Sequence, residues 1–123
     1  MKTSDQTPAI APTAMAPLDR SVLAMISGGK ASVECAMVTL FRRLNDEDVA
    51  MLRQAVSEED VSGAVLASHR ISGAGRMIGA LGLAEASERI ESAGRAGDFF
   101  ALKENMAAFH LEVERINVCL DSL

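Results

Sequence analysis

The chain has 123 residues and a formal net charge of −5, and 49% of its residues are hydrophobic, with no Trp or Tyr and four Phe. This length suits one domain with a core of its own, and the excess of helix-forming over strand-forming residues favours an all-α domain. The negative charge and the lack of a Lys/Arg run interleaved with aromatic residues argue against a nucleic-acid-binding surface.

The N-terminal stretch differs in character from the rest of the chain. Residues 1–17, MKTSDQTPAIAPTAMAP, contain all three prolines and show no periodic pattern. We interpret them as a tail or linker, which assigns the folded domain to residues 18–123. The stretch is too short and too often interrupted by proline for a signal peptide, and no run of about 18 apolar residues occurs in the chain. The sequence therefore predicts a soluble, cytoplasmic domain that does not span a membrane.

The first helices follow this tail. A short helix begins near residue 18 and ends at the pair Gly28–Gly29. A longer helix comes next, and NDED at residues 45–48 is an expected point of bending or splitting within it. The apolar stripe of this second helix is formed by Val33, Met37, Leu40, Phe41, Leu44, Leu52 and Val56.

Further helices complete the prediction. Asp60 is the expected N-cap of the third helix, which continues to about Ala80. The fourth helix closes at Gly97, and Asp98 caps a last helix whose apolar residues alternate by three and four along its whole length. Short connections favour antiparallel neighbours. We therefore predict an up-and-down antiparallel four-helix bundle with a short additional N-terminal helix.

The third helix contains ASHRISGAGRMIGA at residues 67–80, a histidine among small residues. At ~100° per residue, one side of this helix faces the bundle core and consists of Ala64, Ala67, Ser68, Ile71, Ala74, Gly75 and Ile78. Another side forms a solvent-facing set that we name the histidine strip: His69, Ser72, Gly73 and Arg76. A glycine inside a helix costs roughly 1 kcal/mol relative to alanine. The glycines of this segment therefore predict the close approach of another surface to His69.

This pattern resembles the histidine phosphotransfer (HPt) domains of multistep phosphorelays. The matching positions are His69, Ile71, Gly73, Gly79, Ala80, Leu83, Ile90, Glu91, Gly97 and Asp98. The resemblance covers about residues 18–121. Within the family, the chain is most similar to the HPt modules at the C-termini of hybrid sensor kinases. One departure concerns the position three residues after the histidine, where the family usually has Lys and this chain has Ser72.

The resemblance implies a four-helix bundle in which His69 accepts a phosphoryl group from an aspartyl-phosphate on one receiver domain and passes it to an aspartate on another. A neutral imidazole has the nucleophilic nitrogen that this reaction needs. The partner receiver would supply Mg²⁺ and most polar groups, so we expect no metal or cofactor in the chain itself and no enzymatic activity. We expect a monomer whose partners are response-regulator receiver domains and a hybrid sensor histidine kinase.

The replacement of the usual lysine by Ser72 raises the question of what stabilises the phosphoryl group, which brings close to two negative charges. Ser72 offers a hydrogen bond but no charge. Arg70 points away from the histidine strip, whereas Arg76 lies within about 20° of His69 around the helix axis and some 10 Å along it. We predict that Arg76 partly replaces the lysine, and we assign Ser72, Gly73, Arg76 and Arg70 to the phosphate- or receiver-supporting set.

A second interpretation stays open: a bundle that binds receiver domains without transferring phosphate, with Ser72 as its indication. Other sites are disfavoured. GAGRMIG has GxGxxxG rather than GxGxxG spacing and no preceding strand, and the two His and two Cys lack metal-ligand spacing. We expect His110 to be structural or solvated. The side chains that we expect to fill the core as reduced thiols or thioethers are Cys35, Cys119, Met37, Met77 and Met106.

Overall fold

A computed structural model of the chain describes residues 16–123, which form helices joined by turns, with no strand in this range. Most of the predicted tail, residues 1–15, lies outside the described residues. The helices are α1 (Arg20–Ser27), α2 (Ala31–Ser57), α3 (Val61–Ile78), α4 (Leu81–Arg95), α5 (Phe99–Glu104) and α6 (Met106–Asp121).

The long helices run antiparallel in sequence order, which confirms the predicted bundle. Two side-chain contacts set the direction of α6 against α2: Arg53 meets His110, and further back along α2 Arg42 meets Asp121. The α5–α6 segment therefore takes the place of the fourth bundle helix, and α1 is the additional short one. Among residues 16–123 no single helix is both long and apolar enough to cross a membrane, and only α1 and α2 taken together, across a bend of 115°, have that length and composition.

Buried apolar side chains from every helix form one cluster, as the three-and-four spacing predicts. Its largest fully buried members are Leu23, Leu52, Ile71, Leu83, Ile90, Leu102, Phe109 and Ile116. Each such side chain contributes about 1.5–3 kcal/mol through its removal from water. The core face of α3 is as predicted, with Ala64, Ala67 and Ile71 completely buried.

Aspartate side chains cap the helices at the predicted points. Asp60 accepts a hydrogen bond from the backbone N–H of Gly63 at 2.9 Å, and Asp98 accepts one from Ala101 at 3.0 Å. Each bond satisfies a donor that would otherwise lack a partner in the first helical turn.

The expected split at residues 45–48 is wrong, because α2 continues unbroken to Ser57. The spacing of three places Asn45 and Asp48 on the interior side of α2, and both are buried, while Asp46 and Glu47 face solvent. The polar run therefore spans both sides of one helix instead of forming a turn. The side-chain amide of Asn45 has no hydrogen-bond partner within residues 16–123.

The last predicted helix is interrupted once, at Asn105, which separates α5 from α6. The Nδ2 of Asn105 donates to the carbonyl oxygen of Ala101 at 2.8 Å. Asparagine side chains compete in this way with the backbone for its own hydrogen-bonding groups.

Two of the predicted core sulfur residues are exposed. Met77 is 69% exposed, since it lies one turn after Gly73 on the outer side of α3. Cys35 is exposed in the first turns of α2, where it lines a groove together with Leu120 and Leu123 at the C-terminal end of α6. Those that pack against the core as predicted are Cys119, Met37 and Met106.

The glycines of residues 67–80 lie in different structural environments. A Cβ on Gly75 would lie 3.1 Å from the carbonyl oxygen of Ala80 and 3.5 Å from the Cβ of Ala84, so this glycine lets α4 pack closely against α3. Gly79 has a φ of +95°, and a Cβ there would lie 2.6 Å from the carbonyl oxygen of Asp19. A Cβ on Gly73 would meet no atom within 4 Å. Only Gly73 is left for the predicted approach of an external surface.

Gly79→Ala and Gly73→Ala form a matched pair of substitutions. Gly79→Ala is expected to lower the free energy of unfolding by more than about 1 kcal/mol, because alanine is strained at positive φ and its methyl group meets a backbone oxygen. Gly73→Ala is expected to raise it by about 0.5–1 kcal/mol, the usual gain inside an exposed helix. Urea denaturation followed by circular dichroism measures both. Equal changes of the same sign would contradict this account of the glycines.

Candidate functional site

His69 lies in the middle of α3 with its side chain 65% exposed. Its Nδ1 atom is 3.0 Å from the Oε2 atom of Glu91 on α4. A carboxylate only accepts hydrogen bonds, so Nδ1 carries the proton in this contact. In the neutral ring Nε2 then keeps its lone pair. Nε2 has no hydrogen-bond partner within residues 16–123. The site therefore presents an oriented imidazole with a free nucleophilic nitrogen.

Glu91 is the residue that orients this imidazole, and its side chain is only 13% exposed. The same Oε2 atom also accepts hydrogen bonds from Nε and Nη2 of Arg95, at 2.9 and 2.7 Å. Glu91 matches a family position in the sequence, but no role could be predicted for it there, and Arg95 was missed. The available signal was the spacing of four between Glu91 and Arg95, which places them side by side on one helix face.

The prediction that Ser72 lies on the exposed histidine strip is wrong, because Ser72 is only 6% exposed. Its hydroxyl donates to the carbonyl oxygen of His69 at 2.9 Å, within the same helix. Ser72 lies between His69 and Gly75 on a row of residues spaced by three, and Gly75 is where α4 packs closely. α4 covers this row at Ser72 and Gly75. Only the end of the row at His69 is therefore exposed to solvent.

The structure leaves the surface around Gly73 open. Gly73 is exposed, and large exposed apolar side chains lie one or two turns away on the same helix, at Leu66 and Met77. A shallow groove continues from there onto α2, where Leu40 and Leu44 line it. We name this set the apolar surface: Leu40, Leu44, Leu66, Gly73 and Met77. It lies beside His69 on the outer face of the bundle.

The two arginines of the predicted supporting set are paired with carboxylates and do not face His69. Arg76 donates from Nε and Nη2 to the two carboxylate oxygens of Glu88, each at 2.7 Å. This hydrogen bonding raises the pKa of the Arg76 guanidinium and lowers the pKa of Glu88. Arg70 lies with its Nε 3.1 Å from a carboxylate oxygen of the buried Asp48. Neither arginine contacts His69 in this structure, and their support of a phosphate stays a prediction.

His110, the other histidine of the chain, has a different environment on α6. Its Nδ1 atom is 3.3 Å from Nη2 of Arg53, a group that can only donate, so this nitrogen accepts. Burial lowers the pKa of His110, and the charge of Arg53 lowers it further. Packing of its ring against that of Phe109 agrees with the expected structural role. Within residues 16–123, no cluster of His, Cys, Asp or Glu side chains is suited to hold a metal ion.

Comparison with known proteins assigns the chain to a family. The Hpt domain model matches residues 36–118. This match covers most of the chain, so the chain belongs to the Hpt domain family, the histidine phosphotransfer domains of two-component phosphorelays. No curated protein and no solved structure matches the chain. The resemblance found in the sequence is confirmed, and the class of function is phosphotransfer together with receiver domains.

Glu91→Ala is expected to release the His69 ring. In the unmodified protein the carboxylate favours the tautomer with the proton on Nδ1, and without it the two neutral tautomers exchange. Imidazole ¹⁵N chemical shifts above neutral pH measure the change. Glu88→Ala is the matched control on the same helix and should leave the His69 shifts as they are. A fixed Nδ1–H tautomer in the Glu91→Ala variant would contradict the orienting role.

Proposed function

We propose that the chain is a phosphorelay intermediate that accepts a phosphoryl group on Nε2 of His69 from a receiver aspartate and passes it to another receiver. The observation that carries the proposal is the contact between Nδ1 of His69 and Oε2 of Glu91, at 3.0 Å, with Nε2 free of partners among residues 16–123. The contact fixes both the tautomer and the orientation of an exposed nucleophile.

In the proposed transfer, one bond forms at the imidazole of His69 and one bond breaks at the receiver aspartate. The Nε2 lone pair forms the new bond to phosphorus while the bond from phosphorus to the aspartate oxygen breaks, and its electron pair stays with the aspartate carboxylate. The proton on Nδ1 remains in place throughout. Because Nε2 donates its electrons, positive charge develops on the ring, and the Glu91 carboxylate at Nδ1 stabilises that charge. The reverse step delivers the phosphoryl group to the next receiver.

The apolar surface is the proposed docking face for the receiver. It combines exposed large side chains with the bare backbone of Gly73 next to the nucleophile, and an adjoining groove on α2 extends it. Large exposed apolar side chains that gather on one face, together with an apolar groove, are typical of protein interaction surfaces. In-line phosphoryl transfer depends mainly on positioning and on neutralisation of charge, and docking provides the positioning.

The finer predictions about partners follow from the same proposal. We propose that the receiver holds the Mg²⁺ ion that assists transfer, and that one receiver belongs to a hybrid sensor histidine kinase. We place the monomeric chain with them in the cytoplasm. The supporting roles of Ser72, Arg76 and Arg70 require each side chain to leave a present partner: the His69 carbonyl, Glu88 and Asp48 respectively.

His69→Gln is expected to abolish labelling by a phosphorylated receiver and to change the melting temperature little, because an exposed side chain contributes little to the core. Transfer of radiolabelled phosphate, followed by acid treatment to identify phosphohistidine, measures the effect. His110→Gln is the matched control and should be labelled as fast as the unmodified protein. Full labelling of the His69→Gln variant would refute the assignment of the phosphoacceptor.

A second candidate function is that of a module which binds receivers without transfer. The observation that favours it is the position of Ser72, whose hydroxyl is turned to the helix backbone and brings no positive charge. Receiver binding of normal strength with no acid-labile label on the unmodified protein would establish this second function. Label on His69 would establish the first.

Gly73→Glu is expected to weaken receiver binding at least tenfold, because a charged side chain on the apolar surface keeps the receiver away and loses its hydration on docking. Ala107→Glu on the exposed side of α6 adds the same charge elsewhere and should leave binding unchanged. Isothermal titration calorimetry with a receiver domain provides both affinities. Unchanged affinity of the Gly73→Glu variant would show that docking uses another face.

A further inference from the structure

Oε2 of Glu91, the oxygen that orients His69, has more hydrogen-bond donors around it than it has lone pairs. Three N–H groups point to Oε2 of Glu91: Nδ1 of His69 at 3.0 Å, and Nε and Nη2 of Arg95 at 2.9 and 2.7 Å. A carboxylate oxygen has two lone pairs. The other oxygen of Glu91 accepts no hydrogen bond within residues 16–123. One donor of Arg95 therefore loses little when it turns to another acceptor.

The same geometry brings Arg95 close to the nucleophile. The guanidinium and the imidazole lie within 3.0 Å of one atom, so they are neighbours across that oxygen. The Arg95 side chain is 60% exposed and is attached in the last turn of α4. It can therefore move toward solvent above His69 without disturbing the core.

Within the described part of the chain, the other arginines near the site have carboxylate partners that they share with no other donor. Arg76 forms one hydrogen bond to each oxygen of Glu88, a paired arrangement in which neither oxygen is shared with another donor. Arg70 is turned to the buried carboxylate of Asp48, which would lose its partner if Arg70 moved. An unpaired buried charge is strongly unfavourable.

We propose that Arg95 supplies the positive charge that stabilises the phosphoryl group on His69. As the ring becomes positive during transfer, its Nδ1–H takes a larger share of Glu91 Oε2, and the fork of Arg95 turns to the phosphoryl oxygens at Nε2. Guanidinium groups bind phosphoryl oxygens with short, charge-assisted hydrogen bonds. The inference rests on the proposed function, since it needs a phosphoryl group on His69.

The first experiment compares Arg95→Gln with the unmodified protein and with Arg89→Gln, which removes an arginine from the same helix that pairs with Glu85 instead. Arg95→Gln is expected to slow transfer into His69 and to shorten the phosphohistidine lifetime, each by about tenfold, the effect of losing one charge-assisted bond. Arg95→Lys should recover part of the loss, and Arg89→Gln should have no effect. Equal values for Arg95→Gln and the unmodified protein, or a larger loss in Arg76→Gln, would overturn the proposal.

A second comparison separates contact with the phosphate from an effect through Glu91. Arg95→Gln is introduced into a Glu91→Gln background, where the carboxylate is already absent. A further tenfold loss there supports direct contact, and no further loss overturns it. The ³¹P chemical shift provides an independent readout, because a bound guanidinium lowers the second pKa of the phosphoryl group. Absence of any label on His69 in the unmodified protein would instead refute the proposed function itself.

Discussion

The carboxylate of Glu91 is the constraint on which the site depends. It lies between an exposed imidazole on α3 and a guanidinium on its own helix, and it holds both within hydrogen-bond distance. Without it, an exposed histidine on a helix would sample several rotamers and both neutral tautomers. With it, the neutral ring carries its proton on the nitrogen that faces Glu91, and the nitrogen that faces outward keeps its lone pair. A single hydrogen bond thus distinguishes this histidine from an ordinary surface residue.

That hydrogen bond depends in turn on how closely α3 and α4 pack. Small residues permit the approach at both ends of the contact: a Cβ on Gly75 would lie 3.5 Å from the Cβ of Ala84, and a Cβ on Gly94 would lie 2.5 Å from Cγ2 of Val65. Between them, the buried Ser68 and Ser87 return their hydroxyl groups to their own helices. Because each hydroxyl group is hydrogen-bonded within its own helix, neither one prevents α3 and α4 from packing closely. The small residues near His69 therefore mostly serve the packing of the two helices, and Gly73 alone remains open toward solvent.

Much of this arrangement could be predicted from the sequence. Spacing by three and four located the helices and the core face of α3, and the aspartate caps located where helices begin, because these depend on local chemistry. The position of Ser72 could not be predicted from a helical wheel. The wheel gives an angle around α3, whereas burial at that angle depends on where α4 packs. The exposure of Cys35 was missed for a similar reason, since apolar spacing does not tell where a neighbouring helix ends. Met77 lies outside the core face of α3, and only its apolar character suggested burial.

The ion pairs of Arg76 and Arg95 illustrate what the sequence could not predict at the site. On one helix Arg76 is the arginine nearest in angle to His69, and the sequence therefore favoured it. Across two helices its guanidinium is fully paired with Glu88, while Arg95 shares an oxygen with the imidazole. Contacts between helices decide which cation is available, and these follow from the packing rather than from the order of residues in the chain.

The central claim is that Glu91 prepares Nε2 of His69 to carry the phosphoryl group. The most direct measurement is a ¹⁵N–³¹P correlation spectrum of ¹⁵N-labelled protein after phosphorylation by a receiver domain. We expect phosphorus coupled to Nε2 of His69, with the proton still on Nδ1. Phosphorus coupled to Nδ1 of His69, phosphorus on His110, or no phosphorus–nitrogen coupling in the labelled protein would contradict the claim.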